Sequence, residues 1–212
     1  MCHAPKRVCS PDGKRPLICN DPDWNSSCYL CNKIKKYSKM GQYYYGIILG
    51  SDAIIRTWVQ PTCGAKLTEH SYADSPFVAA LEYLISKEGM FYKSGVVWAG
   101  DYADNEVGEN KNLYHMCVNT RESNPPAKDM SAYTYVVNHS KKVFFDKTHK
   151  APKYALHPLP ILTAEGNGRG GGDYMGSSME LVGTWARDIL SVEDQIPDGY
   201  TRVTPTFVES QY

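Results

Sequence analysis

Five of the seven cysteines in this 212-residue chain (Cys2, Cys9, Cys19, Cys28 and Cys31) fall within the first 31 residues, interleaved with Pro5, Pro11, Pro16 and Pro22. The same segment is poor in apolar side chains and turns at Pro11-Asp12-Gly13, so it cannot build a hydrophobic core of its own. Its order has to come from another source. The N-terminus, Met1-Cys2-His3-Ala4-Pro5-Lys6-Arg7, lacks the apolar stretch of a secretion signal, which gives an expected address inside the cell, the cytoplasm by default. A reducing compartment and an odd cysteine count argue against a disulfide framework.

A structural zinc ion meets the need. Cys28-Tyr29-Leu30-Cys31 has the C-x2-C spacing that lets two thiolates share one tetrahedral ion, and Cys9 and Cys19 complete a four-sulfur shell. Their C-x9-C separation is not a standard second knuckle, and Cys2 and His3 compete for the same positions. Two other readings exist: free thiols on a loosely draped extension, or a C-x-x-C redox pair. A redox pair normally opens a helix after a strand, and no strand pattern precedes Cys28.

Charge divides the chain at the same place. Overall, 23 basic residues balance 23 acidic ones, so no whole-molecule field draws the protein toward nucleic acid or anionic lipid. Residues 1–40 nevertheless carry eight positive and three negative side chains, leaving the remainder correspondingly acidic. Residues 1–39 therefore form a candidate phosphate-binding arm, with nucleic acid as the partner class. Short runs such as Lys33-Ile34-Lys35-Lys36 are more commonly solvated surface. No window approaches the ~18 apolar residues needed to cross a bilayer, so no membrane partner is expected.

From Met40-Gly41 onward the sequence becomes apolar and aromatic, and residues 40–212 read as one domain. Met-Gly invites a myristoylation motif, but Tyr45 stands where that motif requires Ser or Thr. Residues 42–49 and 53–59, joined by Gly50-Ser51-Asp52, predict a hairpin; Tyr133–Val137 and Lys142–Asp146 predict a second. Ser75 as cap and Pro76 in the first turn open a helix to about Lys87, with Phe77, Val78, Leu81, Leu84 and Ile85 on one face. Gly95–Gly100, Leu113–Val118 and Thr204–Val208 read as strands, and Met179–Val192 as a mixed segment in which Leu181, Val182 and Trp185 line a helix. One principal helix among several strands without βαβ alternation gives an α+β fold with a mainly antiparallel sheet, plus the small Cys-rich module.

Three constellations carry candidate chemistry. Gly166-Asn167-Gly168-Arg169-Gly170-Gly171-Gly172-Asp173 lets backbone amides approach an anion, with Gly168, Gly170 and Gly171 as cradle and Arg169 as charge clamp. It matches neither the P-loop nor the dinucleotide fingerprint, and it also reads as a plain flexible connection. An enzyme acting on a phosphorylated or nucleotide substrate through this loop would draw its general base from Asp101, Glu165 or His157. Asp101, Asp104, Glu106 and Glu109 crowd oxygens into one loop without EF-hand spacing. His115 and Cys117, two apart in a presumed strand, share one face as a weak nucleophile–base pair. Sixteen tyrosines and four tryptophans bring large amphipathic area and favour self-association or a protein partner. The primary expectation is a binding or assembly protein with a structural zinc module.

Overall fold

The computed structural model describes residues 42–62, 64–125, 128–148, 155–166 and 174–208. The expected zinc ligands Cys9, Cys19, Cys28 and Cys31, and the cradle residues Gly168, Arg169, Gly170 and Gly171, lie outside them. The described residues form a mixed α+β fold dominated by a mainly antiparallel sheet. Its strands are β1 (Tyr44–Leu49), β2 (Ile55–Val59), β3 (Ser94–Gly100), β4 (Tyr135–Asn138), β5 (Val143–Asp146), β6 (Ala155–Leu156), β7 (Ala164–Glu165), β8 (Ile189–Glu193), β9 (Thr201–Arg202) and β10 (Phe207–Val208). The helices are α1 (Leu67–His70), α2 (Pro76–Leu84), α3 (Leu113–Cys117) and α4 (Pro158–Leu162).

Seven strands run in the order β2-β1-β3-β8-β4-β5-β9, and β7 also pairs with β3. Both predicted hairpins form, β1–β2 and β4–β5, each antiparallel. The far edge of β3 is divided: β8 meets it at Ser94 and Gly95, whereas β7 runs parallel to Trp98 and Ala99. The sheet therefore forks at β3. Strand β10 and β6 make a separate two-stranded ribbon, so the predicted closing strand survives only as Phe207–Val208.

Strand alternation explains two cores. One face presents Tyr44, Ile48, Val96, Trp98, Leu190 and Val192 to Phe77, Val78 and Leu81 of α2. The opposite face presents Ile47, Leu49, Val97 and Ala99 to Leu113 and Cys117 of α3. Helix α2 begins as its sequence dictates: the Ser75 hydroxyl accepts from Val78 N–H at 3.5 Å, and Pro76 occupies the first turn. It ends at Leu84 rather than Lys87, because the Ile85 carbonyl and Ser86 turn to bridge Val192 of the sheet. A side chain at Gly89 would strike the Tyr83 and Leu84 carbonyls at 2.1 and 2.3 Å, so the exit turn needs glycine there.

Two predicted elements are corrected. Leu113–Val118 is not a strand: Asn112 accepts from His115 N–H at 3.1 Å and caps α3 instead. A step of two on a helix separates side chains by ~200°, so His115 and Cys117 do not share a face. Cys117 is fully buried and His115 exposed. Within the mixed segment Met179–Val192, Leu181, Val182 and Trp185 do not line a helix. Residues Met179–Leu181 make one 3-10 turn, and the end of the segment belongs to β8 at the centre of the sheet.

Candidate functional site

Three side chains from distant parts of the sequence meet in the interior beside α2. Glu82 lies one helical turn after Val78, on the same buried stripe. Lys147 follows β5, and its ammonium donates to Glu82 Oε2 at 2.9 Å and to the Met130 carbonyl at 3.2 Å. His157 caps α4, accepting at Nδ1 from Leu159 N–H at 3.2 Å, while Pro158 fills the first turn. With Nδ1 an acceptor, the ring proton belongs on Nε2, which faces Glu82 Oε1 at 3.3 Å. That approach is off the hydrogen-bond direction, so Glu82 Oε1 is a buried oxygen with no well-directed donor.

The side chains of Glu82, His157 and Lys147 are 5%, 7% and 12% exposed, so water does little to screen them. Burial alone drives the Glu82 carboxyl up, but His157 and Lys147 outweigh burial and hold it below the usual carboxylate range. Glu82 is thus an ionised group in a dry setting, held by His157 and Lys147 together. The cluster forms the inner wall of a cavity of about 400 Å³ whose rim carries Ala73, Asp74, Lys128, Asp129, Ser131 and Thr148. A smaller space of about 80 Å³ lies on the other side of Lys147 and His157, against Phe145, Leu156 and Phe207. A cavity of a few hundred Å³ with convergent polar groups has the size and make-up of a small-molecule site.

The other predicted site residues lie elsewhere. Asp101 follows β3, an interior strand of the sheet. Its Oδ1 accepts from Tyr43 N–H at 3.1 Å, and burial pushes its carboxyl up. Glu165 ends β7 on the adjacent register, so these two carboxylates do reach the same end of the sheet. Glu165 is not a free base, however. Arg187 forks onto both of its oxygens at 2.8 Å and reaches Glu106 with its remaining donors. Glu106, assigned from sequence to an acidic loop, is one arm of this fork. At the same corner Gln42 is fully buried and takes the Tyr44 hydroxyl at 3.0 Å. Its oxygen lies where a side chain on Gly100 or Gly166 would stand, which accounts for glycine at both positions.

Compared with known proteins, the chain matches no family model, no curated protein and no solved structure. Assignment therefore rests on the geometry. Among the described residues no three His, Cys, Asp or Glu side chains gather as metal ligands, and no helix is long and apolar enough to cross a membrane.

Sequence reasoning missed two further histidine bridges, one at buried His70 and one at half-buried His139. His70 donates from Nδ1 to the Gly64 carbonyl at 3.1 Å and accepts at Nε2 from Trp98 Nε1–H at 2.9 Å. Burial lowers it to about 4, so it is a neutral structural bridge. On the opposite face His139 Nε2 lies 2.8 Å from Ser191 Oγ, which donates to Glu193 at 2.7 Å. The serine proton is thus directed to the carboxylate, and the imidazole serves as its donor, the reverse of nucleophile activation. Burial pushes the Cys117 thiol up to about 12, and the thiol donates to the Tyr114 carbonyl, so the sulfur is a packed core group rather than a nucleophile. No spacing in the sequence links Glu82 with Lys147, 65 residues away. The only legible signal was a glutamate on an otherwise apolar helix face.

Proposed function

We propose that the protein acts by binding, within a protein assembly, and that the cavity floored by Glu82, Lys147 and His157 is its small-molecule site. One observation carries this reading: three chemically distinct polar side chains, brought from α2, β5 and α4, are fixed in an interior wall that borders a cavity of about 400 Å³. Fixed polar groups in a partly dry cavity are preorganised for recognition and lose little freedom when a ligand arrives. Met90, Tyr92 and Ile196 are large apolar side chains exposed to solvent, and they support the protein-partner part of the reading. For residues 1–39 the proposal stands on the sequence: a structural zinc ion held by Cys9, Cys19, Cys28 and Cys31.

The cavity is tested by thermal unfolding against a panel of cationic, neutral and anionic small molecules. At least one class should raise the melting temperature in proportion to its free concentration. Ala73→Tyr, at an exposed rim position, should remove that shift without changing the unliganded melting temperature. A panel without any stabilising compound, or a shift indifferent to Ala73→Tyr, defeats the reading. Elemental analysis of the purified chain should find one zinc per molecule, and a metal-free, folded preparation would remove zinc from the account.

A further inference from the structure

We infer that the smaller space, of about 80 Å³, is a second site and takes a short-chain carboxylate, its hydrocarbon end among Phe145, Leu156 and Phe207 and its charged end on Arg202. The walls of the slot are buried and braced from behind. Phe145 packs on Trp185 and Phe207 on Tyr174, each pair with ring centroids 5.7 Å apart, so the space is formed before any ligand arrives. Its size sets the length of the chain. At roughly the 30 Å³ that one water takes in the liquid, it holds about three methylene-sized groups.

Arg202 sets the sign of the charge. It meets Asp146 through a single nitrogen at 3.2 Å and makes no other hydrogen bond among the described residues, so most of the five donors of its guanidinium stay available. Arg187, by contrast, spends its donors on four bonds to Glu106 and Glu165. Asp146 is the one carboxylate in the described lining, and it is already served: its Oδ1 accepts from the Thr148 N–H at 2.8 Å and the Thr148 hydroxyl at 2.6 Å, and its Oδ2 from Arg202. An amine brought to the slot would therefore meet Lys147 and Arg202 without an uncommitted acid to receive it. A carboxylate meets a planar fork of matching geometry.

The test follows the backbone amides of the full-length protein by two-dimensional NMR during titration with butyrate, acetate, 1-butanol and butylammonium. Butyrate should shift the Val203 and Phe207 amides saturably, and acetate, shorter by two methylenes, should bind about tenfold more weakly. Arg202→Gln, at an exposed position, should cost butyrate at least tenfold and leave it no tighter than butanol. Ala155→Met, which fills the slot from β6, should abolish binding; if that variant does not fold, Arg202→Gln carries the test. Butanol or butylammonium binding as tightly as butyrate overturns the charge assignment, and acetate matching butyrate overturns the seat of the hydrocarbon end. Butyrate binding that ignores both substitutions overturns the placement, and saturable binding by none of the four removes the inference. Neither Arg202 nor Ala155 lines the larger cavity, so its own test stands or fails separately.

Discussion

Two clusters in this fold join cations to carboxylates, and they differ mainly in how much water reaches them. Glu82, Lys147 and His157 are nearly dry, with one lysine set against one ionised carboxylate. Arg187 is 36% exposed in its side chain and forks onto Glu106 and Glu165, which are 21% and 31% exposed. Counting contacts would rank the fork first, since it makes more and shorter hydrogen bonds. Dielectric reverses the order: an exposed pair is worth little, whereas an interior charge that loses its partner has nowhere to go. A contact's importance to the fold is thus set by what happens to the partner left behind.

The comparison breaks most directly at Lys147. Lys147→Ala leaves the buried Glu82 carboxylate without its ammonium partner and should cost about 3–5 kcal/mol, read from the urea midpoint. Glu82→Leu/Lys147→Met, which removes both charges together, should recover most of that loss; equal damage from the single and double variants would show that packing, not charge, holds the site.

A second test uses pH. His70 is neutral in the fold at about 4 and 6.5 in the unfolded chain, so the unfolded state takes up the proton first as pH falls. Its contribution is complete above pH 6.5 and is lost between 6.5 and 4, a change of about 3 kcal/mol at most. Glu82 has the opposite chemistry and a lower window: its folded carboxyl is depressed, so its contribution holds above 4.5 and fades as pH falls further. His70→Gln should flatten the upper window and spare the lower one. The smallest effect belongs to the fork, where Glu165→Gln should cost about 1 kcal/mol or less and the cost should shrink in high salt.

What the sequence disclosed follows from the range over which each signal acts. Ser75-Pro76 and the apolar stripe of α2 are local, and both hairpins are carried by short-range turn and alternation patterns, so all three were readable. Strand β8 was locally readable too, since Leu190-Ser191-Val192-Glu193 alternates with period two, but the stretch from Met179 reads as mixed, with Leu181, Val182 and Trp185 lining a helix. In the fold those three are gathered by a 3-10 turn and loop, and the alternating tail alone is sheet. Asn112 decided α3 through a cap that apolar counting cannot see. The cavity wall was not readable at all. Its glutamate, lysine and histidine are assembled by the docking of α2 on the sheet, and His157 by itself was one candidate among several.

The divided edge of β3 also bears on how the molecule is made. β1, β2 and β3 on one side, and β4 with β5 on the other, are joined in the large sheet through β8 alone. During synthesis the two hairpin groups are finished early yet have no bridge until residues 189–193 leave the ribosome. Closure of the sheet therefore waits for the tail of the chain, and a nascent protein halted before that point presents two open strand edges to chaperones and to its neighbours.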